Sequence, residues 1–365
     1  MNSRRRKKYR ADESYRRKVR QGRFYLLLIA LLGGGCIWLT VSALSQIETV
    51  TELTVDASGY KVLAALPSES ELAEERRAEE IKEENEIFTQ KDSYPIDMII
   101  QTPYCVMYDV QAREVLYSKN AEEKAFPAST TKILTAALMM EYASEDTIFE
   151  AGDEQALVNP GSSLAYVNAG QSKLDRDMML DAIMLPSGND AAYCAAAEVG
   201  RIIAENENLP AEEAVNVFIN KMNEKAAEIG CKNSNFTCPD GFHNDNHYTT
   251  AMDLLRITLH SQKFPEIAAS GKKSYRELTY LSGENVFWNN SNKMIQPDSE
   301  YFYTYATGLK TGMTDMSGFC VVATAERFGH QLILVCLGSE SSAIRWNDTI
   351  ALLDAGFVYI KNNDN

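Results

Sequence analysis

Three short groups of residues could together perform acyl transfer. Ser129-Thr130-Thr131-Lys132 sets a hydroxyl and an amine three positions apart, and Ser187-Gly188-Asn189 sets a hydroxyl and an amide two apart. Lys310-Thr311-Gly312 joins a cation and a hydroxyl to a residue without a side chain. Residues three apart share a face of a helix, so Lys132 can reach Ser129. A serine hydroxyl is a poor nucleophile until a base takes its proton. A lysine serves as that base when desolvation or a second cation lowers its pKa, and Lys310 is the candidate cation. Ser187 can relay a proton, Asn189 can hydrogen-bond a substrate amide, and Lys310 with Thr311 can bind a carboxylate. Backbone N–H groups beside the nucleophile and on a strand edge can hold an oxyanion.

Each group alone carries little. The SxxK spacing recurs at Ser58/Lys61 and Ser270/Lys273, and SxN recurs at Ser118/Asn120. Viewed singly, Ser129 is a helix cap, Lys132 a surface lysine, Ser187 and Asn189 turn and cap residues, and Thr311-Gly312 a strand-ending turn. What distinguishes the three is their order and their setting. SxxK opens an apolar helix over residues 130–142, SxN sits between two helices, and KTG ends a strand.

The elements that must hold these groups can be laid out from periodicity and punctuation. Residues 104–110 and 113–117 read as two strands joined by a short turn. Residues 174–185 read as a helix broken by Pro186-Ser187-Gly188, after which Asn189-Asp190 cap the next helix. Further helices are expected over 211–229 and 249–260, strands over 301–310, 317–326 and 332–337, and a closing helix over 341–360. Two strands, then helices, then three strands and a helix imply an α/β protein of the α+β kind, with one antiparallel sheet covered by helices.

The rest of the chain concerns presentation. The net charge is −15 over 365 residues, yet residues 1–23 hold eleven Lys/Arg against Asp12 and Glu13, a local +9 that leaves −24 on the remainder. An acidic body is repelled by phosphates, which argues against a nucleic-acid partner. Residues 24–47 carry no charge, and about 20 apolar residues suffice to span a bilayer as a helix. The one-sided basic cluster puts residue 1 in the cytoplasm and everything after residue 47 outside. The expectation is a basic cytoplasmic segment (1–23), a transmembrane signal-anchor (24–47), an acidic stalk (48–93) and a catalytic domain (94–361). The competing reading is a secretory signal cleaved near Val41-Ser42-Ala43. Of seven cysteines, Cys105, Cys320 and Cys336 read as core residues of strands and Cys194 as part of a helix. Cys36 reads as a membrane residue. Cys231 and Cys238 are close enough to pair, though spacing does not say that they do. His243 and His247 are four apart, but the stretch reads as loop and lacks the glutamate and third ligand of a zinc site, so both are read as polar loop residues. No metal or cofactor is expected.

The set SxxK, SxN and KTG resembles that of penicillin-binding proteins and serine β-lactamases. The chain is most similar to the low-molecular-mass serine D-Ala-D-Ala carboxypeptidases, the peptidase S11 family, from about residue 103 to residue 357. The longer stretches PASTTKILTA, LPSGNDAAY, NFTCPDGFHNDNHYTTAMDL and ATGLKTGMTDMSGFC carry the likeness. The resemblance implies that Ser129 is acylated, Lys132 acts as base, and Ser187 and Asn189 complete the site. It implies that Lys310 and Thr311, followed by Gly312, bind the substrate's terminal carboxylate, and that the N–H groups of Ser129 and Met313 form the oxyanion hole. The implied substrate is a peptidoglycan stem peptide ending in D-Ala-D-Ala, with β-lactams as covalent inhibitors and a role in cell-wall biogenesis. The implied fold is a five-stranded antiparallel sheet with helices on both faces and an all-helical region, the cleft lying between them.

Two features depart from the family pattern. Many relatives carry a β-rich domain and an amphipathic anchor at the C-terminus, where this chain stops at Asn365. Met313 stands where relatives often have a polar residue. Among rivals, a class A β-lactamase needs a Glu-x-x-Leu-Asn pattern that is missing between residues 189 and 310. A D,D-endopeptidase would use the same nucleophile. A non-catalytic wall-binding protein would suit an anchor and stalk, but the complete motif set argues against it.

Overall fold

The computed structural model describes residues 50–55, 61–65, 76, 88 and 93–363. The chain divides into two compact units, Met1–Arg77 and Ala78–Asn365. In the first, β1 (Val50–Val55) and β2 (Lys61–Ala65) pair antiparallel, with a bulge between Val50 and Glu52. The sequence reading placed only a stalk there; the β-branched residues Val50, Thr51, Thr54, Val55 and Val62 are those that favour strand. The basic segment 1–23, the apolar segment 24–47 and Cys36 lie outside the described residues. Among the described residues no helix is long and apolar enough to cross a membrane.

The second unit begins with β3 (Tyr104–Asp109) and β4 (Glu114–Lys119), followed by α1 (Lys132–Tyr142). The two-residue strands β5 (Phe149–Glu150) and β6 (Lys173–Leu174) bracket a long loop. Then come α2 (Arg176–Met184), α3 (Asn189–Ile203), α4 (Ala211–Glu228), α5 (Ala251–Ser261) and α6 (Pro265–Gly271). A hairpin of β7 (Tyr275–Thr279) and β8 (Asn285–Asn289) follows. Strands β9 (Ala306–Thr314), β10 (Gly318–Arg327) and β11 (His330–Ser339) and the helix α7 (Ser342–Asn363) complete it.

The sheet is antiparallel with order β4-β3-β11-β10-β9, so β9 is an edge strand. Side chains alternate between the two faces of a strand, and here both faces are covered. Cys105, Met107, Leu332, Leu334 and Cys336 join Trp346, Leu352, Leu353 and Phe357 of α7 on one face. Val106, Tyr108, Ile333 and Val335 face the larger core built with Ile133, Leu134, Ala137, Leu254 and Leu255 of α1 and α5 on the other. Burial on both sides explains why β11 reads as the unbroken apolar run Leu332–Leu337.

Two local expectations need correction, and two elements carry no expectation. The strand expected over 301–310 begins only at Ala306 and runs on through Thr314, so Lys310-Thr311-Gly312 lies inside a strand. The aromatic alternation before it serves packing: Tyr303 is buried against the α7 face of the sheet and donates to Asp354 Oδ1 at 2.8 Å, while Arg327 stacks on Tyr305. Asn189 and Asp190 do not cap α3; Gly188 is its N-cap residue and Asn189 its first residue. Helix α6 and the β7–β8 hairpin were unassigned. Burial alternates along β7 between exposed and half-buried, so no apolar run announces that strand.

Candidate active site

Ser129 lies on a 3₁₀ turn, Ala128–Thr131, that runs directly into α1 at Lys132. The three-residue spacing still brings the pair together, with Lys132 Nζ 3.0 Å from Ser129 Oγ. Ala128, just before the nucleophile candidate, holds φ at +48°. A left-handed non-glycine residue beside a reactive group is stored strain of about 1–3 kcal/mol that the surrounding packing must hold.

Lys132 is wholly buried, and its amine makes two further hydrogen bonds, to Asn189 Oδ1 at 2.7 Å and to the Asp240 carbonyl at 2.8 Å. Burial lowers its pKa to about 8, with the negative charge of Asp240 opposing the shift. Desolvation and the charge of Lys310 were the two causes expected. Of these, desolvation is the larger for Lys132. Burial, then Lys132, then Arg345 push Lys310 well below the usual lysine range.

Asn189 is held from both ends, since its Nδ2 donates to Ser162 Oγ at 2.8 Å. Asp190 stitches the loop before β6 to the start of α3. Its two carboxylate oxygens accept from Ala165 N and Val167 N, each at 2.8 Å. Asn189 N donates to Ser163 O, and Ser163 Oγ donates to Ser187 O at 2.7 Å. Ser187 is left-handed (φ +62°), and its buried Oγ has no hydrogen-bond partner among the described residues. The structure thus brings Ser129, Lys132 and Asn189 into direct contact and sets Ser187 beside Asn189 without joining its hydroxyl to them.

Lys310 and Thr311 are buried on β9; Lys310 Nζ donates to Thr311 O at 3.0 Å, and Thr311 Oγ1 lies 2.6 Å from Ser291 Oγ. Gly312 brings the edge strand against the nucleophile turn: a Cβ there would sit 2.8 Å from Ser129 N. Met313 projects outward and is 56% exposed. Arg345, on α7, reaches under this strand with Nη1 3.5 Å from Gly312 O and 3.3 Å from Cys320 O.

Sequence reasoning missed Arg345, Asp190 and the Asp240 carbonyl. Nothing in their spacing marks them; only the chain's return to the site does. His247 does lie in the expected loop, but it is buried there, with Nε2 2.9 Å from Thr131 Oγ1. His243 packs edge-on against Phe126 near the site, and among the described residues no group of His, Cys, Asp and Glu is placed to hold a metal ion. Cys231 and Cys238 are unpaired thiols facing the carbonyls of Asp253 and Phe242.

Gly241 closes the far side of the nucleophile turn. Its φ is +81°, and a Cβ would lie 1.9 Å from the Ala128 carbonyl oxygen. The backbone conformation alone costs an alanine about 1–3 kcal/mol, and the clash adds to it. Gly241→Ala is therefore expected to lower the melting temperature by about 5 °C or more, at roughly 2–4 °C per kcal/mol for a domain of this size. A melt that does not move would show that the turn yields freely.

The chain matches the family model for D-alanyl-D-alanine carboxypeptidase, peptidase S11, over residues 90–341. It is 30% identical over 252 residues to a D-alanyl-D-alanine carboxypeptidase of a Streptomyces species, covering 66% of this chain and 82% of that one. It is 30% identical over 265 residues to the D-alanyl-D-alanine carboxypeptidase DacF of Bacillus subtilis, and the match spans 69% of this chain but only 61% of that relative. Among solved structures, a Streptomyces DD-transpeptidase superposes with a TM-score of 0.65 at 27% identity, over 72% of this chain and 99% of the other. The carboxypeptidase DacD of Francisella tularensis superposes with a TM-score of 0.61 at 25% identity, covering 73% of each chain. Motif order, sheet topology and these matches agree, and the chain belongs to the peptidase S11 family of serine D-alanyl-D-alanine carboxypeptidases.

Proposed function

We propose that this protein removes the terminal D-Ala from peptidoglycan stem peptides through an acyl-enzyme on Ser129. The observation that carries this is the environment of Lys132. A neutral amine has two N–H groups and one lone pair. Asn189 Oδ1 and the Asp240 carbonyl are acceptors for the two N–H groups, which leaves the lone pair for the Ser129 hydroxyl. Ser129 Oγ attacks the carbonyl of the penultimate D-Ala while its proton passes to Lys132. The bond to the terminal D-Ala then breaks, its nitrogen taking a proton, and water hydrolyses the ester. The N–H groups of Ser129 and Met313 hold the developing oxyanion. Ser187, with Asn189, lines the path of the proton and the substrate amide.

The substrate's terminal carboxylate is assigned to Lys310, Thr311 and Gly312 on β9. Burial and two neighbouring cations disfavour charge on Lys310. A bound carboxylate supplies a counter-charge, so binding and protonation of Lys310 reinforce each other. β-Lactams, which carry a carboxylate and a strained amide, would acylate the same serine. Residues 24–47 would tether the protein to the bacterial cell membrane, with residues 48–93 as a spacer and residues 94–361 as the catalytic domain outside.

The test is intact-mass analysis of the full-length protein in detergent after exposure to a fluorescent penicillin, followed by D-Ala release from a stem pentapeptide. Wild type is expected to gain one adduct and Ser129→Ala none. With Lys132 at about 8, acylation should rise about tenfold per pH unit below that value and level off above it. A folded wild type that gains no adduct rules out the acyl-enzyme, and rapid turnover of the drug would indicate a β-lactamase.

A further inference from the structure

His247 precedes α5 in sequence, yet its ring is buried beside the nucleophile turn and is only 2% exposed. Its Nδ1 accepts the backbone N–H of Thr237 at 3.0 Å, which leaves the ring proton on Nε2. Nε2–H therefore donates to Thr131 Oγ1 at 2.9 Å. One imidazole thus bridges the residue before Lys132 to the start of the segment Thr237–Gly241.

That segment matters because its Asp240 carbonyl is one of the two fixed acceptors of the Lys132 amine. Thr135, one turn further along α1, donates to the Pro239 carbonyl at 2.5 Å. Thr131, Lys132 and Thr135 thus hold one loop segment at Thr237, Asp240 and Pro239, and His247 supplies the link at Thr131. Phe236 meets the imidazole edge-on at 5.5 Å and limits its rotation.

We propose that His247 is a positioning residue for Lys132, holding the Asp240 carbonyl on the amine through Thr131 and Thr237. This rests on the assignment of Ser129 as nucleophile and Lys132 as base. The groups facing the ring are the Asp240 carboxylate, His243, Lys132 and the Cys238 thiol. Burial, aided by His243 and Lys132, holds the imidazole down to about 4 against the pull of Asp240. It is neutral wherever Lys132 can act as a base, so the bridge persists through the working pH range. Losing the bridge frees the segment and admits water to Lys132. Because burial is the first cause of the lowered Lys132 pKa, the pH at which acylation levels off should then move upward.

The experiment compares full-length wild type, Thr131→Val, His247→Gln, His247→Ala and the Thr131→Val/His247→Gln pair in detergent. The readouts are the rate of fluorescent-penicillin acylation from pH 5 to 10 and the melting temperature. Displacing a catalytic group by about 1 Å can cost 10²-fold, so each single variant should acylate about tenfold to a hundredfold more slowly at neutral pH, with its plateau at higher pH. His247→Gln keeps a donor near the Nε2 position and should recover part of what His247→Ala loses. The double variant should lose little more than either single one, because both cut the same link. Thr131→Val and His247→Gln proteins that fold, melt lower and acylate with the wild-type rate and pH profile would overturn the proposal and leave a purely structural histidine. A folded wild type that takes no label at Ser129 would instead overturn the underlying assignment of nucleophile and base, and the proposal with it.

Discussion

Lys132→Met is expected to lower the acylation rate by about 10³-fold or more, within the roughly 10²–10⁴-fold range of general-base removal and at its upper part because, among the described residues, Lys132 is the base in contact with Ser129 Oγ. The same substitution should leave the fold nearly as stable as before. Burial moves this amine from its ordinary 10.5 to about 8, and about 2.5 units at roughly 1.4 kcal/mol each correspond to about 3 kcal/mol of native-state penalty on the charged form. The sign follows from the two pKa values. Between about 8 and 10.5 the unfolded chain holds the proton more tightly, so stability rises with pH through that window, and the penalty is present in full below it. Methionine removes that penalty and fills a similar volume. Against this, Asn189 Oδ1 and the Asp240 carbonyl lose a donor, at about 1–3 kcal/mol for each buried group left unpaired. The terms offset, so the melting temperature should move by only a few degrees while acylation collapses. Stopped-flow labelling and a thermal melt on one sample test both halves. Acylation within tenfold of wild type would remove Lys132 from the role of base.

Gly312→Ala is the second large effect, and its cause is different. Gly312 does not have a positive φ, so alanine suits its place in β9. The conflict is steric. The new Cβ would lie 2.8 Å from Ser129 N, 2.9 Å from Ala128 Cβ and 3.0 Å from the Pro127 carbonyl. Two of these contacts involve backbone, which cannot swing aside as a flexible side chain can. Either the edge strand or the nucleophile turn must retreat by several tenths of an ångström, and both donors assigned to the oxyanion hole lie on the moving parts. Loss of one such donor costs about 10²–10³-fold, and acylation should fall by at least the lower figure. Overpacking of this size destabilises by about 1–3 kcal/mol. Because the oxyanion donors act on charge that develops only during the reaction, the loss should appear mainly in the maximal acylation rate rather than in half-saturation. Equal loss in both would place the damage in substrate binding instead.

Much of the site was legible in the sequence because part of it is local. Ser129 and Lys132 are three residues apart, and any right-handed helical turn, α or 3₁₀, brings such a pair together. The apolar runs of β10, β11 and α1 are legible as continuous stretches, because those elements are buried on all sides and lack a solvent face that would interrupt them. The order of the three motifs then determined the reaction class and the family. Those conclusions needed no knowledge of which segments meet.

What only the tertiary structure decided are the contacts that cross the chain. Lys132 meets Asn189 across 57 residues and the Asp240 carbonyl across 108. A carbonyl has no residue signature, so Asp240 could not be read as an acceptor of the lysine. Asp190 has the composition of a helix cap and instead pins a loop, because the loop's unpaired N–H groups fold over it. Arg345 lies in the closing helix, and its approach to β9 depends on how α7 crosses the sheet. The depressed pKa of Lys132 is a property of burial by all of these segments at once. Local spacing specifies which groups can react; long-range packing sets the dielectric and the hydrogen-bond partners that decide whether they do.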